Sequence, residues 1–280
     1  MNAEAPARTR PEAGRGNAAC ALSVDVEEWC QTVLFEGGPR DDGARTRLPE
    51  SVSGLLALLE RRGVKATFFF VGALVEKYPE TVLLVAARGH ELASHGWRHR
   101  LVHRMGAAEF EEDVRRSVEA LRRVSGAEVV GYRAPTWSLG RHKALAAALL
   151  PRLGLRYDSS LYPLGFRPDA ERFPRTLPGG LLEFPPSTFR LLGANLPFAG
   201  GTFLRCAPTG FILERLRALR AAGRPVHAFA HSWELEGPAP EGLPAWKRWV
   251  QYGNVAGVRG KLEALLEAFP FSPVRECLGL

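Results

Sequence analysis

Short β-branched or aromatic runs alternate with 3.6-periodic amphipathic segments along most of this chain. That alternation limits its fold more than any other feature. "CALSVDVEEW" opens as an apolar run ending in acids and reads as a buried strand that delivers carboxylates at its C-terminal end. "PESVSGLLALLERRGV" reads as a helix with proline at its start and glycine at its stop. "KATFFFVG" is a strand, "ALVEKYPETVLLVAARG" is helical in two pieces around its proline, and "HELASHG" is a strand running into a loop. The longest predicted helix is "GAAEFEEDVRRSVEALRRVSG", with Phe110, Val114, Val118 and Leu121 on its apolar side. "EVVGYRAP" then reads as strand and loop, "RHKALAAALLPRLGL" as helix, "TGFILERLRALRAAG" as helix, "PVHAFAHSWE" as a strand ending in polar residues, and "VAGVRGKLEALLEAF" as a final helix. Strand and helix alternate at least five times, which selects the α/β class with a parallel sheet. Each polar cluster follows a strand, and a β/α barrel would gather those clusters on the one face where such barrels carry active sites.

A chain of 280 residues suits a single barrel domain with a sizeable core, expected over residues 20–280. Residues 163–206 are rich in proline and glycine and read as an irregular insert with short strands such as "LLEFPP" and "GGTFLRC". Residues 1–19 lack an apolar stretch of the secretory kind and read as a disordered tail. No apolar run approaches the roughly 18 residues of a membrane span, so a cytoplasmic protein is the expectation.

The 37 lysines and arginines exceed the 30 acids by seven, but many arginines sit beside glutamates on helical faces. No nucleic acid partner is expected, because no basic–aromatic recognition module accompanies the charge. Attraction to an acidic polymer or an anionic membrane surface stays open. The four cysteines, Cys20, Cys30, Cys206 and Cys277, show no CxxC spacing, which argues against a thiolate zinc site and a dense disulfide framework.

Five polar groups carry the chemistry. His95 and His99 are four apart, and on a helical turn both imidazoles would point one way, as a zinc, cobalt or nickel ion requires; alone, the pair reads more readily as two surface or hydrogen-bonded histidines. On a strand, Asp25 and Glu27 share a face while Glu28 points away, supplying a third ligand and a base, or else two solvated acids at a strand end. Arg133 in "GYRAPTWS" could hold a carboxylate ionised through a bidentate contact, or pair with a surface acid. Asp158 in "RYDSSLYP" could orient a histidine or close an Asx turn, and His231 in "FAHSWE" could be an acid or a rim histidine. Trp97, Trp137, Trp233 and Tyr162 lie in the same loops, where rings stack on sugars or pack the rim.

Taken in order, "SVDVEEW", "SHGWRHR", "GYRAPTWS", "YDSSLYP", "EFPPSTFRLLGANLPFAGGTF" and "HSWE" resemble the polysaccharide deacetylase family, the NodB-homology or carbohydrate esterase 4 group, from about residue 21 to 270. They are most similar to a bacterial subgroup linked to exopolysaccharide biosynthesis and exosortase loci. The resemblance implies a deformed (β/α) barrel of seven or eight strands and a metal-dependent hydrolase that removes acetyl groups from N-acetylated sugars. It implies Asp25 as catalytic base, Arg133 as its tether, His231 as general acid with Asp158 beside it, and Glu27, His95 and His99 as ligands of a divalent metal. Zinc is the expected ion, with cobalt or nickel as alternatives. Trp137, Tyr162 and Trp233 are the expected substrate contacts, and the substrate would be an N-acetylated glycan or a lipid-linked or nucleotide-linked precursor, with peripheral membrane association. The family's usual pair of adjacent aspartates is here Asp25 and, two positions later, a glutamate. Two rival readings are an allantoinase-like C–N hydrolase acting on a small cyclic amide and a non-catalytic polysaccharide-binding or assembly factor.

Overall fold

The computed structural model describes residues 18–32, 47–235, 237 and 243–280. Residues 1–17 of the expected tail lie outside the described residues, and Ala19 already accepts a sheet hydrogen bond from Val226 (2.9 Å).

Ten strands are described: β1 (Cys20–Val26), β2 (Thr67–Phe70), β3 (Glu91–Ser94), β4 (Gly131–Tyr132), β5 (Tyr157–Asp158), β6 (Arg175–Thr176), β7 (Leu182–Glu183), β8 (Thr188–Leu191), β9 (Ala194–Pro197) and β10 (Val226–His231). The helices are α1 (Leu48–Arg61), α2 (Gly72–Lys77), α3 (Pro79–Ala87), α4 (Ala107–Ser125), α5 (Lys143–Leu149), α6 (Gly201–Cys206), α7 (Thr209–Ala221), α8 (Ala245–Tyr252), α9 (Val258–Ala268) and α10 (Val274–Cys277). Eight strands form one curled, half-barrel sheet in the order β10-β1-β2-β3-β4-β5-β7-β6, parallel except at the β6 edge. Strand β10, from the C-terminal half, closes against β1, so both halves of the sequence share the sheet.

The two-residue side-chain period sorts the core into layers. Leu22, Val24, Val26, Phe68, Phe70, Leu92 and Tyr132 face outward and pack with the helices in the large core. Ala21, Phe69, Ala93, Tyr157 and Phe184 face inward in a smaller cluster that Val274 of α10 joins. Asp25 shares the inner parity of Ala21, Arg133 that of Gly131, and His231 that of His227. Asp158 and Glu183 carry the outer parity.

Two expectations are corrected. "GGTFLRC" is helix α6 rather than a strand, because tertiary anchors override the β-like look of its threonine and phenylalanine: Leu204 is buried and Arg205 reaches Thr202 Oγ1 and the Val250 carbonyl (both 3.0 Å). His95 and His99 also do not lie on a helical turn; they bracket a loop in which Gly96 (φ 72°) and His99 (φ 55°) are both left-handed. A Cβ at Gly96 would come within 2.7 Å of Asp113 Oδ2, the oxygen that accepts the Trp97 N–H (2.8 Å), so only glycine fits that bend.

Candidate active site

Glu27, just beyond the end of β1, is held by residues of the 3-10 turn that follows β10. Its N–H donates to Ser232 Oγ (3.2 Å), whose hydroxyl returns a bond to the Glu27 carbonyl (2.8 Å), and the Trp233 indole N–H donates to Glu27 Oε1 (3.0 Å). The free oxygen, Oε2, faces two imidazoles, His99 Nε2 at 2.6 Å and His95 Nε2 at 3.8 Å. One ligand atom from each of the three residues lies within 4.8 Å of the others, and all three side chains are buried. His95 Nδ1 bonds the Arg133 carbonyl (2.8 Å), which leaves Nε2 to point at the other two. Burial, against the pull of Asp25, lowers His95 to about 4, so it is the neutral imidazole that a metal needs. Burial alone would raise the Glu27 carboxyl; His99, with His231 and His95 behind it, overrides this and keeps Glu27 well below the usual carboxylate range. Two imidazoles and one ionised carboxylate in a buried cluster form a donor set that suits a catalytic zinc-type ion. Glu28 turns away to Lys77 Nζ (3.0 Å) and the Tyr78 hydroxyl (3.1 Å), as strand parity requires.

Asp25 sits beside this cluster. Arg133 Nη1 donates to its Oδ1 (2.6 Å), and the arginine is wholly buried. The contact uses one nitrogen rather than the expected fork, since Nη2 donates to Ser159 Oγ (2.9 Å) and Nε to the Ser159 carbonyl (3.3 Å). The guanidinium also lies over the Phe69 ring at 4.2 Å. Strand register places His231 directly opposite Asp25 on the neighbouring strand.

His231 does not pair with Asp158. Its partner is Glu234, three residues on in a 3-10 turn: Glu234 Oε2 accepts the His231 backbone N–H (2.9 Å) and lies 3.2 Å from Nδ1. Arg205 of α6 holds the other oxygen of Glu234 from within the core. Burial pulls the imidazole down, yet Glu234, then Glu27 and Asp25, outweigh it and lift His231 to about 9. Asp158 instead faces the helix side of the sheet, where Ser160 donates to its Oδ1 and Glu183 stands beside it in register. The "DSS" loop still serves the site through Ser159, which anchors Arg133. The acid three residues after the histidine in "HSWE" is the signal that could have marked Glu234.

The aromatic residues divide. Trp233 is buried (2% exposed), stacks on His231 (5.2 Å, 19°) and hydrogen-bonds Glu27, so it orients the site rather than offering a sugar platform. Trp97 is also buried, with Arg116 over its ring at 3.8 Å. Trp137 and Tyr162 pack at 4.9 Å beside Phe229, and among the described residues the buried indole N–H and phenol oxygen meet no hydrogen-bond partner.

Residues 31–157 match the family described as polysaccharide deacetylase, and residues 159–279 match one described as a domain of unknown function. A peptidoglycan deacetylase of Helicobacter pylori is 32% identical over 153 residues, which is 53% of this chain and 51% of that protein. A chitooligosaccharide deacetylase of Sinorhizobium fredii is 29% identical over 134 residues, 47% of this chain and 54% of that one. The chain thus spans about half the length of these curated relatives. Among solved structures, a protein assigned as a polysaccharide deacetylase from Mycobacterium smegmatis superposes with a TM-score of 0.61 at 22% identity, covering 97% of this chain and 91% of that one, which shows a shared fold.

Proposed function

The chain carries a polysaccharide deacetylase domain of the NodB-homology, carbohydrate esterase 4 group, and from that premise we propose that it is a metal-dependent hydrolase that removes acetyl groups from N-acetylated sugars. The observation that carries the reading is the convergence of Glu27, His95 and His99 next to an arginine-tethered Asp25 and a carboxylate-backed His231.

A divalent ion held by Glu27, His95 and His99 supplies Lewis-acid polarisation of the acetyl carbonyl and acidifies water. Zinc fits this set, with cobalt or nickel as alternatives. Asp25, kept in place by Arg133, takes a proton from the attacking water. His231 enters protonated, because Glu234 keeps its charge, and donates to the departing amine nitrogen as the C–N bond breaks. Water and the acetamide thus become acetate and a free amine. Trp137 and Tyr162, half-buried beside Phe229, are the residues assigned to the sugar.

The substrate is a polysaccharide or its lipid-linked or nucleotide-linked precursor in cell-envelope or exopolysaccharide synthesis, met at the cytoplasmic surface of the inner membrane. Acetate release from a panel of N-acetylated oligosaccharides and lipid-linked sugars tests the activity, with chelation and zinc or cobalt add-back and with Asp25→Asn as the control. Release that ignores chelation, or that survives in Asp25→Asn, overturns the proposal. Fractionation into the periplasm overturns the placement.

A further inference from the structure

Helix α8 carries its apolar side outward. Its sequence, AWKRWVQY, puts Trp246, Trp249 and Val250 on one side of the spiral and Gln251 and Tyr252 on the other. The second side packs on the protein: both residues are buried, Gln251 Oε1 accepts from the Thr32 hydroxyl (3.4 Å), and Tyr252 meets Trp233 edge-on at 5.8 Å. Arg205 pins the helix further through the Val250 carbonyl (3.0 Å). The indoles therefore point away from the body, with Trp246 58% and Trp249 77% exposed.

We propose that α8 is a docking surface for an anionic lipid bilayer, seating the two indoles at headgroup depth. Three observations favour lipid over a glycan or a protein groove. The indoles stand on a convex helix, whereas a sugar platform or an anchor pocket is concave; a bilayer interface yields to a protruding ring. Lys247, whose Nζ lies 5.5 Å over the Trp246 ring, and the exposed Arg248 flank the indoles in sequence, and α8 contains no acid, which complements an anionic leaflet. The helix also belongs to the site end of the sheet, since its buried Tyr252 packs on the Trp233 that bonds Glu27. Docking there brings the reacting groups to the membrane plane. Among the described residues no helix is long and apolar enough to cross a membrane, so the contact is interfacial. The inference deepens the membrane-borne precursor proposed above, but its test needs no turnover.

The test is co-sedimentation of the full chain with phosphatidylcholine vesicles, with and without phosphatidylglycerol. Binding is expected only with the anionic lipid, weakening as salt rises and accompanied by a blue shift of tryptophan emission. Trp246→Ala/Trp249→Ala should cut vesicle partition at least about tenfold. Lys247→Glu/Arg248→Glu should cut it by a similar factor and abolish the preference for anionic lipid. Both variants should turn over a soluble N-acetylated oligosaccharide at the wild-type rate. Wild type that ignores anionic vesicles, or a double tryptophan variant that binds them as wild type does, overturns the proposal. So does a tryptophan variant whose only defect is a raised KM for the soluble oligosaccharide, which would make α8 a glycan platform, or one that only loses self-association. Vesicle binding without any acetate release would sink the hydrolase reading and leave this one standing.

Discussion

One curled sheet carries two buried acid clusters, on opposite faces. In the candidate site each acid has a counterpart: Asp25 has Arg133, Glu27 has the two imidazoles and the Trp233 N–H, and Glu234 has Arg205 and His231, whereas Glu91, buried deeper on the inner face, has only the Thr67 and Tyr157 hydroxyls and the Arg275 N–H. On the outer face, Asp158 and Glu183 stand side by side with a hydroxyl and a backbone N–H as partners, and each keeps one oxygen without a hydrogen bond. Burial raises both, Asp158 to about 7 and Glu183 well above the usual range, so the pair holds a proton, whereas Glu27 and Glu234 are lowered. The difference teaches that depth alone does not make a buried carboxylate reactive. A buried carboxylate is held ionised by the partners set against it: Arg205 and His231 at Glu234, the imidazoles and the indole N–H at Glu27.

The largest effect tests the inner face directly. Asp25→Asn should lower acetate release by about a thousandfold while leaving the circular dichroism spectrum unchanged, because the amide oxygen can still accept from the Arg133 guanidinium. A loss below about tenfold would remove Asp25 from the proton transfer.

Glu234→Gln comes next and strikes the acid. His231 is lifted to about 9, so its charge and its contribution to stability are complete below the ordinary histidine value and are lost as pH rises through about 9. The wild-type rate should therefore fall on that alkaline limb. In the variant the limb should move toward neutral pH, with a loss of about a hundredfold at about pH 8. Stability should drop by about 3 kcal/mol as Arg205 loses its buried partner, read as a denaturation midpoint. An unmoved alkaline limb would show that some other group sets the charge of His231.

Trp233→Phe should act through the metal alone. It keeps a ring beneath His231 and removes the N–H that fixes Glu27, so zinc affinity should weaken about tenfold, measured by chelator competition. Saturating zinc should restore most of the rate. A raised KM at saturating zinc would return Trp233 to the substrate-binding residues.

Much of this was legible in the sequence, for local reasons. Asp25, His95, Arg133 and His231 all lie at or just past strand ends, so the strand–helix alternation was enough to gather them on one rim. Parity alone separated Glu27 from Glu28. Three features depended on contacts that no local pattern encodes. The bend that aims His99 needs the left-handed Gly96 against Asp113. The strand-like "GTFLRC" becomes a helix because Arg205 is anchored in sequence-distant Glu234 and Val250. The partner of His231 sits three residues away, while Asp158, the residue the motif order suggested, faces the other side of the sheet.

That last point gives the smallest expected effect and the sharpest contrast. Because Asp158 is raised in the folded chain from 3.8 to about 7, its favourable contribution is present at acid pH and is lost as pH rises from about 4 to about 7, where the unfolded chain gives up the proton and the folded chain keeps it. Asp158→Asn has no proton to lose, and its amide oxygen can still accept from Ser160. The variant should match wild type near about pH 4 and melt about 3 °C higher at about pH 8, the opposite of what removing an inner acid does. Its rate of acetate release should stay within about twofold of wild type across that range. A drop in rate with a shifted alkaline limb, like that of Glu234→Gln, would mean that Asp158 reaches the histidine after all. The two faces of the sheet would then form one proton network rather than two.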